Sequence, residues 1–340
     1  MKRSTICILQ MVLVSMLGIG AAACAQDADP LARITTAASL TSLELADQRP
    51  WHLKLEVTVF DDQGTNPNEG TVEVWHTGAD ERTQYVFGAA TDMVLRHDGK
   101  VYRVPGGPAV PDEAYELVEQ MLHPGPTGLD LTGSKPDSRR QKLGKDSFDC
   151  IMLSQPIKGT NVVPLGLFPT YCLDAGGVIR ATYNFGARTV VINSIGKFED
   201  HVVPISLEIL DGQTKVGTAK VATLSTYAPT ADEFVPPADV KSWTGLARVS
   251  GGVIQGQRVS FVQPVYPQSM KSYHVSGTVI LRAVIGRDGR VHSLRPVNAT
   301  DPEFVMSAIA AVRKWRYKPY ILNGEPTEVD TTITVNFAMN

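Results

Sequence analysis

Beyond its first 25 residues the sequence has no apolar run of the roughly 20 residues that a membrane-spanning helix needs, so no second span is expected. Charge of one sign is also scarce. The 32 Lys and Arg against 35 Asp and Glu leave a formal net charge of -3, which argues against nucleic acid as a partner of the whole chain. Signatures of chemistry are missing as well. There is no Gly-x-Ser-x-Gly, no phosphate-binding loop and no dinucleotide fingerprint, and Gly106-Gly107 and Gly251-Gly252 read as turn material. The seven histidines (His52, His76, His97, His123, His201, His274, His292) never stand at a metal-ligand spacing such as His-x-x-x-His, so no metal and no cofactor is expected. Asp61-Asp62 and Glu199-Asp200 are adjacent acids in turns, which are ordinarily solvated. Together these absences point away from an enzyme.

What is present suits an exported, β-rich protein. At 340 residues two domains are expected on size, and 43% hydrophobic with 20% charged residues is a folded rather than a disordered composition. Lys2 and Arg3 precede an apolar run from Ile6 to about Ile19 and then the small residues Ala21-Ala22-Ala23-Cys24-Ala25, the layout of an export signal at 1–25. Cleavage after Ala25 is the preferred reading. Lipidation at Cys24 and retention as a membrane anchor are the alternatives. Cleavage would remove Cys7 and Cys24 and leave an even pair, Cys150 and Cys172, which in an oxidising compartment is expected to form a disulfide.

The region 26–227 reads as mainly β. Asp29-Pro30-Leu31 opens a helix, and Trp51, Leu53, Leu55, Val57 and Val59 alternate as one face of a half-buried strand. Short strand patterns follow between turns such as Asp98-Gly99. Asp112 to His123 carries Ala114, Leu117, Val118, Met121 and Leu122 at helical spacing. Residues 125–145 are polar and rich in Gly and Pro, which predicts a loop. Strand patterns then resume and run to Tyr227. The expected fold is a curled antiparallel sheet, open-barrel-like, around one or two helices. Residues 228–256, with Pro229, Pro236 and Pro237, read as a linker.

The last part, 257–340, is patterned differently. Val279, Leu281, Ala283 and Ile285 alternate, Asp288-Gly289 supplies a turn and Val291 to Val297 returns, which predicts a hairpin. Asp301-Pro302-Glu303 carries helix-start signals, and Phe304, Val305, Ala308, Ile309, Val312 and Trp315 recur as one apolar stripe. Arg313, Lys314, Arg316 and Lys318 follow at the negative helix end before Pro319. A strand runs from Val329 to Phe337. From Gln257 onward there are ten Lys and Arg against six acids, suited either to acidic partner segments or to a solvated helix face.

This β-β-α-β order resembles the C-terminal domain of the TonB family, through Tyr266-Pro267, Gly277-Thr278-Val279, Asp288-Gly289-Arg290-Val291, the run from Ala311 to Pro319 with Trp315 at its centre, and Val335-Asn336-Phe337. The resemblance implies an α+β C-terminal domain that binds an extended segment of an outer-membrane receptor or other envelope protein by adding it to the last strand. Carried onto this chain, the edge strand is marked by Val329, Thr331, Ile333, Val335 and Phe337. The alternative is that this strand is covered by neighbouring chain or by a second copy. The N-terminal strand succession resembles the open β-barrel of periplasmic lipoprotein carriers of the LolA and LolB type, which implies a lipid or lipoprotein carrier as the alternative function. The periplasm is the expected compartment, with an outer-membrane lipoprotein or an inner-membrane anchored form as alternatives. Oligomeric state is left open.

Overall fold

A computed structural model of the chain describes residues 29–339, apart from 44–48, 62, 127–130, 132, 144, 156–162, 186–187, 231, 244–246, 300 and 323. The expected export signal, with Cys24, lies outside the described residues.

The alternation at Trp51, Leu53, Leu55, Val57 and Val59 forms strand β1 (Trp51–Val59), whose odd positions are all buried. It lies in the middle of a 13-stranded sheet. The other members are β2 (Asn68–His76), β3 (Glu81–Phe87), β4 (Ala90–His97), β5 (Lys100–Gly106), β6 (Lys135–Leu143), β7 (Asp146–Ser154), β8 (Thr170–Leu173), β9 (Ile179–Tyr183), β10 (Thr189–Phe198), β11 (His201–Asp211), β12 (Thr214–Thr226) and β13 (Ser242–Trp243). Sequential hairpins build it in two runs, β5 back to β1 and β12 back to β6, joined where β1 pairs with β12. The end strands β13 and β6 do not meet, so the sheet is open and no closed barrel forms among the described residues.

Two helices fill the apolar face of this sheet. Helix α1 (Pro30–Thr41) buries Ile34 and Ala37, and helix α2 (Asp112–Leu122) buries Ala114, Leu117 and Met121 against Leu53, Leu55, Leu207 and Ile209. Complete burial of each large side chain contributes about 1.5–3 kcal/mol relative to exposure. Trp51 also satisfies its indole N–H, which donates to the Leu43 carbonyl at 3.2 Å.

The loop expected over 125–145 is in part strand β6. Its sequence, KPDSRRQKL, has no apolar alternation because it is the outermost strand, paired only to β7. An edge strand gains ladder bonds on one side alone and keeps charged side chains in water, so hydropathy does not reveal it. Pro136 sits there without breaking the sheet, as an edge allows. The expected linker likewise contributes a short strand, since Ser242 and Trp243 pair with β5.

The C-terminal unit contains β14 (Ala247–Arg248), α3 (Gly251–Gln255), β15 (Arg258–Ser260), α4 (Gln268–Ser272), β16 (Gly277–Ile285), β17 (Val291–Ala299), α5 (Pro302–Val312), β18 (Arg316–Tyr317), β19 (Tyr320–Leu322), β20 (Glu325–Thr327) and β21 (Val329–Phe337). Its main sheet has the order β14-β21-β16-β17. Asp301 caps α5 by accepting from the Glu303 N–H at 2.7 Å, and Pro302 occupies the first turn. The helix ends at Val312, three residues short of Trp315. There the chain tightens into i to i-3 bonds, Lys314 N–H to Ala311 and Trp315 N–H to Val312. Trp315 is still buried, and its indole donates to the Val262 carbonyl at 2.9 Å.

The two units share apolar core. Met152, Leu167 and Phe168, from β7 and the segment before β8, are buried in one cluster with Val279, Leu281, Phe304 and Ile333. The Cys150–Cys172 disulfide joins β7 to β8 where that segment leaves and re-enters the sheet. Arg313 adds an ion pair to Asp211.

Candidate partner-binding edge and domain junction

Strand β21 has two in-plane sides. One is paired along its length with β16, from Val329↔Ile285 to Phe337↔Gly277. Among the described residues the other is paired only at its start, by the linker strand β14, and the beginning of α3 then packs against Thr332, where a Cβ on Gly251 would lie 2.3 Å from the Thr332 carbonyl oxygen. Ala247 N–H donates to the Glu328 carbonyl at 3.0 Å and Val249 N–H to the Asp330 carbonyl at 3.1 Å. Backbone groups alternate between the two sides of a strand, so Thr332, Thr334 and Asn336 direct theirs the same way as Asp330. No backbone bond reaches those three groups from that side among the described residues. Their side chains are exposed, while Val329, Thr331, Ile333, Val335 and Phe337 are all buried. The five residues expected to mark the binding edge thus face the core with their side chains and β16 with their backbone. The unpaired groups belong to the alternate set. Periodicity identifies which residues share a face, but not which in-plane side lacks a neighbour.

The other residues that carried the family resemblance hold this unit together. The Tyr266 hydroxyl donates to the Val275 carbonyl at 2.5 Å, and its ring meets Phe304 and Phe337 edge-on at 5.6 and 5.8 Å. Pro267 precedes α4, and Gly277 starts β16 opposite Phe337. Asp288 accepts from the Arg290 N–H at 2.8 Å across the β16–β17 turn. Gly289 has φ +77°, and a Cβ there would lie 2.0 Å from the Tyr317 carbonyl oxygen, so only glycine fits. Pro319 separates β18 from β19.

Residues 262–339 match the family described as Gram-negative bacterial TonB protein C-terminal. The chain carries a TonB C-terminal domain. Over 83 residues it is 31% identical to protein TonB of Klebsiella pneumoniae, a match covering 24% of this chain and 32% of that protein. The chain thus spans about a third of the length of the curated relative it matches. The TonB2 protein of Vibrio anguillarum is similar at 28% identity, covering 34% of this chain and 96% of that structure, with a TM-score of 0.21. A LolA superfamily protein from Nitrosomonas europaea covers 60% of this chain and 96% of its own at 8% identity, with a TM-score of 0.36.

The exposed face of the TonB domain is basic near the covered end of the edge. Arg282 holds Asp330 through both carboxylate oxygens, Nε to Oδ1 at 2.8 Å, and Arg248 lies 3.6 Å from the same carboxylate. The Arg282 hydrogen bonds hold the Asp330 carboxyl below the usual aspartate range. A depressed carboxylate stabilises the fold above the ordinary aspartate value, about pH 4, and loses that contribution as pH falls through its folded value. Asp330→Asn should therefore be less stable than the parent at neutral pH. The difference should shrink on acidification below about pH 4, as read by urea unfolding at each pH.

A second polar centre lies where the N-terminal sheet meets the TonB domain. Asp92, 1% exposed, accepts from Arg103 Nε at 2.6 Å and from the Tyr115 hydroxyl at 2.5 Å. The Arg287 guanidinium stacks 4.5 Å from the centroid of the Tyr115 ring and donates to Asp112 Oδ1 at 2.6 Å. Asp92, Arg103, Asp112 and Arg287 line a cleft of about 820 Å³ that also includes Asp288 and Arg290. Burial pushes the Asp112 carboxyl up to about 7. Burial opposes the charge on His292, but the Asp288 carboxylate 3.2 Å from its Nε2 outweighs it and holds the imidazole above its ordinary value. The sequence offers Asp288 as a turn and family-motif residue, Asp112 as a helix start and His292 as one of seven histidines without metal-ligand spacing. The only signal available was three isolated polar residues, brought together by a contact spanning 175 positions.

Proposed function

We propose that this chain is a non-enzymatic cell-envelope protein whose TonB domain binds an extended segment of an outer-membrane or periplasmic partner. The open stretch of β21 carries this reading. Thr334 and Asn336, beyond the stretch that β14 and α3 cover, present backbone donors and acceptors with no backbone partner on that side among the described residues, in a strand already fixed by β16. An incoming peptide would add as a further strand, with main-chain bonds giving affinity. The linker strand β14 already pairs in this manner with Glu328 and Asp330, so the edge accepts a strand beside it and the partner would continue where the linker leaves off. In this reading the protein acts in the periplasm after export, and participates in TonB-dependent transport as a binding component.

The test is calorimetric titration of the full chain with synthetic peptides taken from the periplasm-facing ends of outer-membrane receptors. Saturable binding that tolerates Thr334→Ala, which keeps the N–H, supports a main-chain-mediated edge. Absence of binding across a peptide set that does bind a TonB protein used as control would contradict it.

A further inference from the structure

Three potential ligand atoms converge at the domain junction, and arginines hold both of the carboxylates that supply two of them. Asp112 Oδ1 accepts from Arg287, which leaves Oδ2 buried with no hydrogen bond on a side chain that is only 10% exposed. Asp288 Oδ2 pairs with Arg290 Nε at 3.2 Å, and Oδ1, besides accepting the Arg290 N–H at 2.8 Å, lies 3.2 Å from His292 Nε2. His292 Nε2 is itself buried without a hydrogen bond of good geometry and stands 3.9 Å from Asp112 Oδ2. All three atoms lie within 4.8 Å of one another.

Those spacings suit a small cation. Tetrahedral bonds of about 2.0–2.1 Å place ligand atoms about 3.3 Å apart, so two of the three separations need to change by less than about 1 Å. Arg287 and Arg290 orient the carboxylates through their other oxygens, as outer contacts do in metal sites. Gly286 keeps the space clear. A Cβ there would lie 2.2 Å from His292 Cε1, 2.5 Å from Nε2 and 2.8 Å from Asp288 Oδ1. One imidazole with two carboxylates selects a divalent transition metal over Mg2+ or Ca2+, which favour all-oxygen shells.

We propose that Asp112, Asp288 and His292 form a binding site for a divalent transition metal of the Zn2+ type. The ion would join helix α2 of the N-terminal sheet to the β16–β17 hairpin of the TonB domain, so occupancy would tie the two units together.

The experiment is titration of chelator-treated full-length protein with Zn2+, followed by calorimetry and thermal unfolding. The site predicts one equivalent bound with micromolar or tighter Kd, a raised unfolding midpoint, and at least about tenfold weaker binding in His292→Gln and in Asp112→Asn. Co2+ in place of Zn2+ should give the parent a visible absorption spectrum that His292→Gln alters; this readout works on the parent even where a variant folds poorly. No binding by the parent would overturn the proposal. So would parent-like Zn2+ affinity with an unchanged Co2+ spectrum in the variants, because the metal would then sit elsewhere, and Asp112, Asp288 and His292 would form only an ion-pair cluster.

Discussion

Replacing Phe168 by alanine should destabilise the whole chain by about 3–5 kcal/mol, although Phe168 lies in a connection between strands of the N-terminal sheet. Connections are usually exposed and tolerant of change. This one is different because Phe168, 1% exposed, is built into the TonB-domain core with Leu167, Met152, Val279 and Phe304. Truncation removes the transfer free energy of the ring and leaves a cavity that β16 and α5 cannot close, since both are held by their own ladder or helix bonds. The two units also unfold as one if they share this core. Urea unfolding should show a single transition moved to lower midpoint with an unchanged slope. A loss below about 1 kcal/mol, or two transitions of which only one moves, would show that the units do not share it.

Thr334→Pro should abolish or weaken peptide binding at least about tenfold while leaving the domain folded. Proline removes the N–H at the centre of the open edge, and its ring occupies the space into which an added strand must come. Tenfold corresponds to about 1.4 kcal/mol, within reach of one lost main-chain bond plus that steric conflict. The neighbouring Ile333→Pro supplies the contrast. Ile333 pairs with Leu281 on β16 and its side chain is buried, so that change should unfold the domain. Circular dichroism and titration of the two variants together separate the sides of the strand. Parent-like affinity in a folded Thr334→Pro protein would remove β21 as the docking edge.

Much of the architecture was legible in the residues. The alternation in β1, the Asp288-Gly289 turn, the Asp301-Pro302 helix start and the stripe from Phe304 to Val312 each follow from local chemistry, and each stands where the pattern placed it. Strand β6 was not legible, because its stability comes from pairing with β7 rather than from burial of alternate residues. Trp315 kept its buried role and lost its helix, since burial is set by the core and the helix end by backbone bonds. The junction of Asp112, Asp288 and His292, and the insertion of Phe168 into the other unit's core, depend on how two separately patterned regions dock. Periodicity within either region carries no information about that.

Residue-resolved amide hydrogen exchange, recorded with and without a bound receptor-derived peptide, reads the two sides of β21 separately. The amides of Thr334 and Asn336 should exchange fast in the free protein and be strongly slowed in the complex. Those of Ile333 and Val335, already bonded to β16, should change little. Unchanged exchange at Thr334 and Asn336, with new protection on the opposite edge strand β17, would contradict peptide binding at β21.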